Sequence, residues 1–324
     1  MLKAPEPILA LAPMQDVTDL PFWRLMAHYG GADVYFTEFF RVHAVSRLDK
    51  YILKSITDNP TGRPVVAQMV GNDIPSLVRT AKELQRHPIA AVDLNLGCPA
   101  PVVYRKCAGG GLLRDLARLD GILGALREAV TVPLTVKTRL GFEAVAEFDG
   151  ILRVFQRHAL DLVVVHGRKV KETFHHPVHY DCVTEAVRAL RCPVVANGDI
   201  FSAGQARAVL ERTRARGVML GRGAIRNPWI FRQIRETQRG EAVFVPTGRD
   251  MLEYVKRLYH EVYPEDLVER KQVEKMKLYM IHLAPGTDPS GRFLHDIRRV
   301  ATEAEFFRVC QNFLNHGDPM PLAG

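Results

Sequence analysis

Residues 193–225 read PVVANGDIFSAGQARAVLERTRARGVMLGRGAI, which is a β-rich run, a segment with helical spacing and a second β-rich run. Ser202 follows the first run and predicts the N-cap of a helix over residues 202–214. Two near-continuous apolar strands joined by a helix predict a parallel pair that is buried on both faces. This unit decides the fold because it recurs along the chain.

The β-rich runs of the first 240 residues are eight in number. They are ILALAP, VYFTEF, PVVAQMV, AVDLNLG, PLTVKTR, LVVVHG, PVVANGD and GVMLGRG. Segments with helical spacing lie between them, such as residues 74–86 and 112–130. Eight such units in this length match an α/β fold of the (β/α)8 TIM barrel type. We therefore predict a catalytic TIM barrel over residues 1–242.

The alternation of strands and helices stops at RGEAVFVPTGRD, residues 239–250. Glycine and proline punctuate this change. Four helical segments follow, which we predict over residues 249–263, 266–282, 291–302 and 303–315. Residues 243–324 are therefore predicted to form an all-helical C-terminal domain.

Composition and cysteine usage restrict the class of protein. A chain of 324 residues with 47% hydrophobic and 25% charged residues is typical of a soluble globular protein. Its five cysteines are an odd number without CxxC spacing, so neither disulfides nor a metal site are indicated and we expect a cytoplasmic location. Pro5, Glu6 and Pro7 interrupt the N-terminal apolar run, and we expect no signal peptide and no membrane span.

The net charge of +8 indicates an anionic partner. Residues 1–240 carry 33 Lys and Arg against 23 Asp and Glu, whereas residues 241–324 carry 11 against 13. The basic excess therefore lies in the predicted barrel. The alternative is a solvated surface with an arginine bias.

Polar residues end the predicted strands, where TIM barrels build their active sites. The residues at these strand ends include Met14, Glu38, Gln68, Asn95, Lys137, Arg139, His166, Asn197, Gly221 and Arg222. The loops ANGDIF and GRGAIRNPW follow strands seven and eight, where barrels often bind a phosphate. Together these positions predict a site for a phosphorylated cofactor with a ring system.

Two of these residues have structural alternatives. Lys137 would place an ammonium group in the barrel mouth, which favours an anionic ligand or else a structural salt bridge. His166 ends a strand and fits either a site or a hydrogen-bonded structural role. Gln68 both donates and accepts hydrogen bonds, which suits the mixed edge of a heterocycle.

Cys98 lies in DLNLGCPAPVVYRKCAGGG, residues 93–111, close to this ring of strand ends. A thiol with the reference pKa of about 8.5 is mainly protonated at neutral pH and suits a general acid. A thiolate nucleophile is the alternative and needs a base such as His166 close in space. We assign the other four cysteines to structure. Residues 109–111 are predicted to let the backbone approach a bulky substrate.

These motifs resemble the successive signatures of the tRNA-dihydrouridine synthases, and they are most similar to the bacterial B-type branch. The resemblance rests on LAPMQDVTDLPFWRL, TEF, QMVGND, DLNLGCPAPVVYRKCAGGGLLRD, PLTVKTRLG, VVHGR, PVVANGDI and GRGAIRNPWIF. It implies an FMN enzyme that uses NADPH to reduce a uridine of tRNA to dihydrouridine. The implied partner is tRNA, which the helical tail would dock together with the barrel. No obligate protein partner is evident.

The resemblance also implies a role for each site residue. Cys98 would be the proton donor, and Asn95 would face the uracil. FMN would contact Pro13, Met14, Gln15, Gln68, Lys137, His166, Asn197, Gly198, Asp199, Gly221 and Arg222. The basic residues available for RNA phosphates are Arg139, Arg168, Lys169 and Lys171.

Two segments depart from the family pattern. After HGR the family usually continues with Thr-Arg and glycines, but this chain reads KVKETFHHPVHYDCV. A Lys-His pair of the B-type branch falls on Glu274 and Lys275. The alternatives to a tRNA enzyme are a flavin barrel that acts on a small molecule, similar to dihydroorotate dehydrogenase, and a non-catalytic RNA-binding protein. The helical tail, the basic barrel and the GCP loop argue against the small-molecule enzyme.

Overall fold

The computed structural model describes residues 6–262 and 268–320. The chain forms two compact units. The barrel unit contains the described residues up to Gln15 together with Asp33–Asp199 and Ala208–Leu220. The helical unit contains Asp16–Ala32, Ile200–Arg207 and the described residues from Gly221 onward. The domain boundary between residues 242 and 243 stays a prediction.

Parallel strands form a closed barrel in the barrel unit. They are β1 (Ile8–Leu11), β2 (Val34–Phe36), β3 (Phe40–Arg41), β4 (Val65–Val70), β5 (Ala91–Leu96), β6 (Leu134–Thr138), β7 (Leu162–His166), β8 (Val194–Asn197) and β9 (Gly217–Leu220). The pairing runs from β1 through β2, β4, β5, β6, β7, β8 and β9, and β9 pairs with β1 to close the ring. The two-residue β3 extends the edge of β4 beyond β2. The predicted TIM barrel is therefore confirmed, with its second strand divided in two.

The barrel interior is apolar at one end and polar at the other. Its buried apolar residues include Ala10, Val66, Ala91, Val164 and Met219. Because side chains alternate along a strand, the positions two and four residues after Ala91 face the same interior. The polar residues that end the strands therefore line the other end of the same interior.

Helices alternate with these strands along the chain. They are α1 (Leu20–His28), α2 (Lys50–Thr57), α3 (Ile74–Leu84), α4 (Pro101–Tyr104), α5 (Leu116–Ala129), α6 (Glu147–Arg157), α7 (Tyr180–Ala189), α8 (Ala203–Thr213), α9 (Arg222–Arg226) and α10 (Ile230–Arg239). The hydroxyl of Ser202 accepts from the N–H of Gln205 at 3.1 Å, as expected of the predicted cap. The predicted helix over residues 112–130 is confirmed in part, since a 3-10 turn (Gly109–Arg114) precedes α5.

The C-terminal part of the helical unit contains α11 (Gly248–Glu261), α12 (Glu269–Thr287), α13 (Arg292–Ile297) and α14 (Glu303–Leu314). Helix α13 is shorter than predicted because Thr302 must be extended to cap α14, where it forms a capping box with Glu305. The predicted ends at residues 263 and 266 lie outside the described residues. Within the described ranges, no helix is long and apolar enough to cross a membrane.

Candidate active site

A row of three polar side chains crosses the barrel interior. Gln68 on β4, Asp93 on β5 and Thr135 on β6 are paired in register, and all three are fully buried. The Gln68 Nε2 donates to Asp93 Oδ2 at 2.8 Å, and the Thr135 Oγ1 donates to Asp93 Oδ1 at 2.6 Å. Both carboxylate oxygens of Asp93 therefore accept a hydrogen bond.

Asn95 connects this row to the loop that carries Cys98. Its Nδ2 donates to the Oε1 of Gln68 at 2.8 Å. Its Oδ1 accepts from the backbone N–H of Gly97 at 3.1 Å and of Cys98 at 2.9 Å. The chain turn after β5 is thus held by a side chain of β5 itself, and this turn positions the thiol.

Cys98 differs from the other cysteines in its surroundings. It is half-buried, packs against the cluster of Phe39, Val70, Val103 and Ala108, and accepts a hydrogen bond from the N–H of Gly110 at 3.2 Å on its carbonyl. The remaining thiols are exposed at Cys107, half-buried at Cys192 and buried at Cys182 and Cys310. Burial raises the pKa of Cys192 to about 11 and that of Cys310 to about 12. Both therefore stay protonated at neutral pH.

Lys137 is the register neighbour of Asn95 on the next strand. Its Nζ donates to the Oδ1 of Asn197 at 3.2 Å, and the Nδ2 of Asn197 donates to the carbonyl of Met219 at 2.8 Å. Burial, followed by the charge of Arg139, lowers the pKa of Lys137 to about 8 although Asp93 and Cys98 oppose the shift. The ammonium group is thus held against a neutral amide oxygen, and it would gain from an anionic ligand.

Burial raises the pKa of Asp93 to about 6. The hydrogen bonds from Thr135 and Gln68 and the charge of Lys137 oppose this shift. Asp93 is therefore ionised at neutral pH, and an ionised carboxylate only accepts hydrogen bonds.

The loop after β8 has an unusual backbone. Gly198 has φ +132° and Asp199 has φ +39°, and the Tyr180 hydroxyl donates to the carbonyl of Gly198. His166, half-buried at the end of β7, is the register neighbour of Asn197. The predicted site residues Lys137, His166 and Asn197 are thus brought together at neighbouring strand ends.

Arg168 has a different position from the one expected of an RNA contact. It is fully buried. Its Nε donates to the carbonyl of His176 at 2.8 Å, one terminal nitrogen donates to Asp199 at 3.1 Å, and the other donates to the carbonyl of Phe174 at 3.2 Å. The guanidinium holds the loop between residues 168 and 176 together. Arg168 is therefore not among the RNA contacts that we propose.

The other predicted basic contacts differ in exposure. Arg139 is 5% exposed and donates to the carbonyls of Lys169 at 2.7 Å and Glu172 at 3.3 Å. The side chain of Lys169 lies 3.6 Å from Glu172 and is 26% exposed, whereas that of Lys171 is 47% exposed. Among these residues, Lys171 is therefore the most exposed, and Lys169 is half-buried beside Glu172.

A cluster of cations and aromatic rings surrounds Lys171. Its Nζ lies 5.4 Å from the ring centre of Tyr104 and 5.3 Å from that of Phe142. Arg114 lies 4.4 Å from the Phe142 ring centre and donates to the carbonyl of Tyr104. Sequence reasoning missed Tyr104, Phe142 and Arg114. Tyr104 ends α4, Arg114 ends the 3-10 turn and Phe142 follows β6, so no local spacing relates all three.

The glycine run after Cys98 serves packing within the chain. Residues 109–111 are buried, and Gly109 has φ +54°. A Cβ atom on Gly110 would lie 2.5 Å from the Val170 side chain and 3.0 Å from the carbonyl of Cys98. The prediction that these glycines let the backbone approach a substrate stays a prediction. They let the Cys98 loop pack closely on its own surroundings.

The first predicted cofactor loop begins where β1 ends. Pro13 and Met14 are half-buried, and Gln15 is exposed. In the helical unit, the Nζ of Lys275 donates to the carbonyl of Asp16, which has φ +61°, and to the Oδ2 of Asp19 at 3.0 Å. Lys275 therefore holds the turn that follows Gln15.

Positive charge is concentrated around Phe201 in the helical unit. Arg222 and Arg226 lie 5.5 Å and 4.3 Å from its ring centre, and Gly221 immediately precedes Arg222. The Nε of Arg226 donates to the carbonyl of His282 at 3.2 Å. Burial and then the two arginines lower the pKa of His282 to about 4, so this imidazole is neutral. The arginines carry the charge of the cluster.

Comparison with known proteins gives matches along most of the chain. A family model described as "Dihydrouridine synthase (Dus)" matches residues 10–315. The "tRNA-dihydrouridine synthase B" of Pseudomonas putida is 34% identical over 293 residues, which cover 88% of this chain and 86% of that protein. The "tRNA-dihydrouridine(16) synthase" of Neisseria meningitidis is 28% identical over 314 residues, with 94% of each chain covered.

A solved structure of a 2-naphthoyl-CoA reductase is similar with a TM-score of 0.56 and 11% identity. The match covers 72% of this chain, and the chain spans about half, 50%, of that reductase. At this identity the likeness shows the barrel fold.

Proposed function

Because this chain belongs to the dihydrouridine synthase family, we propose that it reduces a uridine of tRNA to dihydrouridine, with FMN as its cofactor and NADPH as the reductant. The observation that carries this proposal is the hydrogen bond from the Cys98 N–H to Asn95, with Lys137 beside Asn95 on the next strand. The Cys98 loop and the half-buried ammonium of Lys137 thus lie at neighbouring strand ends of one barrel.

The residues around Lys137 fit a flavin. The Lys137 ammonium faces the amide oxygen of Asn197, so a negatively charged ring would compensate its burial better than its present neighbour does. Gln68, Lys137 and His166 would hold the ring, and the loop from Asn197 to Asp199 would hold its phosphate arm. The bound flavin supplies the hydride. The predicted contacts of Pro13, Met14, Gln15, Gly221 and Arg222 stay predictions.

Cys98 supplies the proton that the reduction needs. Saturation of the uracil C=C bond takes one hydride and one proton. The hydride adds to the carbon β to the carbonyl, and negative charge builds on the α carbon and the carbonyl oxygen. The S–H bond of Cys98 then breaks as its proton passes to the α carbon. Asn95 faces the base in this proposal while it holds the Cys98 backbone.

The tRNA substrate agrees with the charge of the chain. A base within folded RNA must be turned out of its stack before an enzyme can act on it. The half-buried Lys169 and the exposed Lys171 are the cations that we propose for the RNA phosphates near the site, and the C-terminal helices would dock the remainder. We expect the enzyme to act in the cytoplasm without an obligate protein partner.

The substitution Cys98→Ala tests the proton donor, with Cys107→Ala as the matched control. We expect Cys98→Ala to keep bound FMN and its reduction by NADPH. Its uridine reduction should fall by roughly 100-fold or more, the usual contribution of general acid catalysis. Cys107→Ala should keep full activity because that thiol is exposed and outside the polar network.

Full activity of Cys98→Ala on tRNA from the same cells would contradict the proton-donor role. A protein that stays colourless after incubation with FMN would contradict the whole proposal. Mapping of dihydrouridine in tRNA from cells with and without the gene identifies the uridine that is reduced.

A further inference from the structure

The hydrogen bonds from Asp93 to Cys98 run in one direction. Ionised Asp93 only accepts, so Gln68 turns its Nε2 toward the carboxylate and its Oε1 toward Asn95. Asn95 then turns its Nδ2 toward Gln68 and its Oδ1 toward the N–H groups of Gly97 and Cys98. In this order, Asp93 orients the amide of Gln68, and Gln68 orients the amide of Asn95. We call this chain of hydrogen bonds the amide relay. It begins at the Asp93 carboxylate, passes through the Gln68 and Asn95 side chains and ends at the backbone N–H groups of Gly97 and Cys98.

The relay lies directly beyond the apolar part of the barrel interior. The interior positions two residues before Gln68 and Asp93 on the same strands are Val66 and Ala91, which belong to the buried apolar cluster. A buried carboxylate there is expensive compared with an apolar residue of similar volume. Packing therefore does not explain Asp93, whereas the need for an acceptor toward Gln68 does.

We propose that Asp93 is a positioning residue for Cys98, which acts through the Gln68 and Asn95 side chains to hold the backbone turn that carries the thiol. This inference rests on the proposed role of Cys98 as proton donor. Asp93 touches neither substrate nor cofactor in this proposal. Its contribution is the orientation of two amides, and a proton donor misplaced by about 1 Å loses much of its rate.

The position of Cys98 can be measured without any turnover. Trypsin cuts after Arg86, Arg105, Lys106 and Arg114, so Cys98 lies on the peptide of residues 87–105 and Cys107 on that of residues 107–114. Iodoacetamide labelling of the purified protein at pH 8, followed by mass spectrometry, gives a separate rate for each thiol. Cys107 is exposed and outside the relay, so the ratio of the two rates reports on the Cys98 turn with an internal reference.

Three substitutions separate the relay from packing. Asp93→Leu has nearly the same shape and offers no acceptor. Asp93→Asn can still present its oxygen to Gln68 while the Thr135 hydroxyl turns to accept from its amide. Thr135→Val removes the other hydrogen bond of the same carboxylate and leaves the relay intact.

We expect Asp93→Leu to raise the ratio of Cys98 to Cys107 labelling about fivefold, because the loss of one buried hydrogen bond shifts a local equilibrium by about that factor. Its uridine reduction should fall by about tenfold or more. Asp93→Asn and Thr135→Val should stay within about twofold of the wild-type ratio. Thermal melting of each variant checks folding. If Asp93→Leu does not fold, Gln68→Met breaks the relay one link later and should raise the same ratio.

An unchanged ratio in a folded Asp93→Leu, or in Gln68→Met where Asp93→Leu does not fold, would overturn the proposal. An equal rise of the labelling ratio in Thr135→Val or in Asp93→Asn would also overturn the proposal. The higher ratio would then result from any change among the buried polar residues and not from loss of the acceptor for Gln68. The labelling ratio needs neither tRNA nor NADPH. A wild-type protein without uridine reductase activity would therefore refute the proposed function, while the labelling ratios would still decide whether Asp93 holds the Cys98 turn.

Discussion

Replacement of Lys137 by methionine should stabilise the protein at neutral pH while it removes the activity. Methionine has a similar length and no charge. The folded protein lowers the pKa of Lys137 from 10.5 to about 8, chiefly through burial and then through Arg139. The protonated lysine is therefore less favourable in the fold than in the unfolded chain. The residue is kept, in our interpretation, for the anionic cofactor that it meets.

The sign of the pH dependence follows from this shift. Between pH 8 and 10.5 the unfolded chain binds more protons at this residue than the folded protein does, so the free energy of unfolding of the wild type rises with pH. A shift from 10.5 to about 8 gives a rise of about 2.5 kcal/mol between pH 7 and pH 10. Lys137→Met lacks this rise. At pH 7 it should be more stable by roughly 2 kcal/mol once the lost hydrogen bond to Asn197 is subtracted.

Urea unfolding of flavin-free protein at pH 7, 8, 9 and 10 measures this difference. Flavin must be removed because an anionic ring would raise the pKa of Lys137. The difference in unfolding free energy between the wild type and Lys137→Met should change steadily over this range. A difference that is constant with pH would refute the argument that burial makes this lysine costly. Retained uridine reduction in Lys137→Met would refute its place in the site.

Two further predictions concern packing and the turn after Gln15. Gly111→Ala should lower the unfolding free energy by about 1–3 kcal/mol because its Cβ would overlap a backbone carbonyl of α4. The control Gly121→Ala on α5 should raise the unfolding free energy by up to about 1 kcal/mol. Urea unfolding of both variants measures these changes. Lys275→Met should lower the unfolding free energy by about 1–3 kcal/mol because it loses the hydrogen bond to the carbonyl of Asp16. The control is Lys271→Met at an exposed position, which should change the unfolding free energy by less than about 0.5 kcal/mol in the same assay.

The fold could be predicted because its signal is repeated and local. Each barrel strand is buried on both faces, so runs such as residues 65–70 and 162–166 are nearly free of charge and stand out between helical segments. The split of the second strand at residues 37–39 has no such signal. Helix α13 also ended earlier than predicted, because the cap of the next helix takes precedence over the helical spacing of residues 298–302.

The residues of the candidate site could be predicted from the sequence, but the hydrogen bonds that join them could be predicted only in part. Gln68, Asn95 and Lys137 were identified because they end apolar strands of a barrel. The sequence did not reveal that Asp93 accepts from Gln68, which accepts in turn from Asn95, because an aspartate three residues before the strand end has no distinguishing spacing. It is the strand register that places Gln68, Asp93 and Thr135 in one row, and register is a property of the closed sheet.

The sequence does not show which basic side chains are exposed, and the basic residues of the barrel differ widely in their burial. Arg168 and Lys171 lie three residues apart in one loop, yet one is fully buried and the other has a half-exposed side chain. The carbonyls that Arg168 satisfies belong to residues 174 and 176, whose path the arginine itself fixes. Arg139 likewise gives hydrogen bonds to loop carbonyls. Part of the basic excess of the barrel therefore holds loops together, and the net charge counts more cations than the surface offers to an RNA.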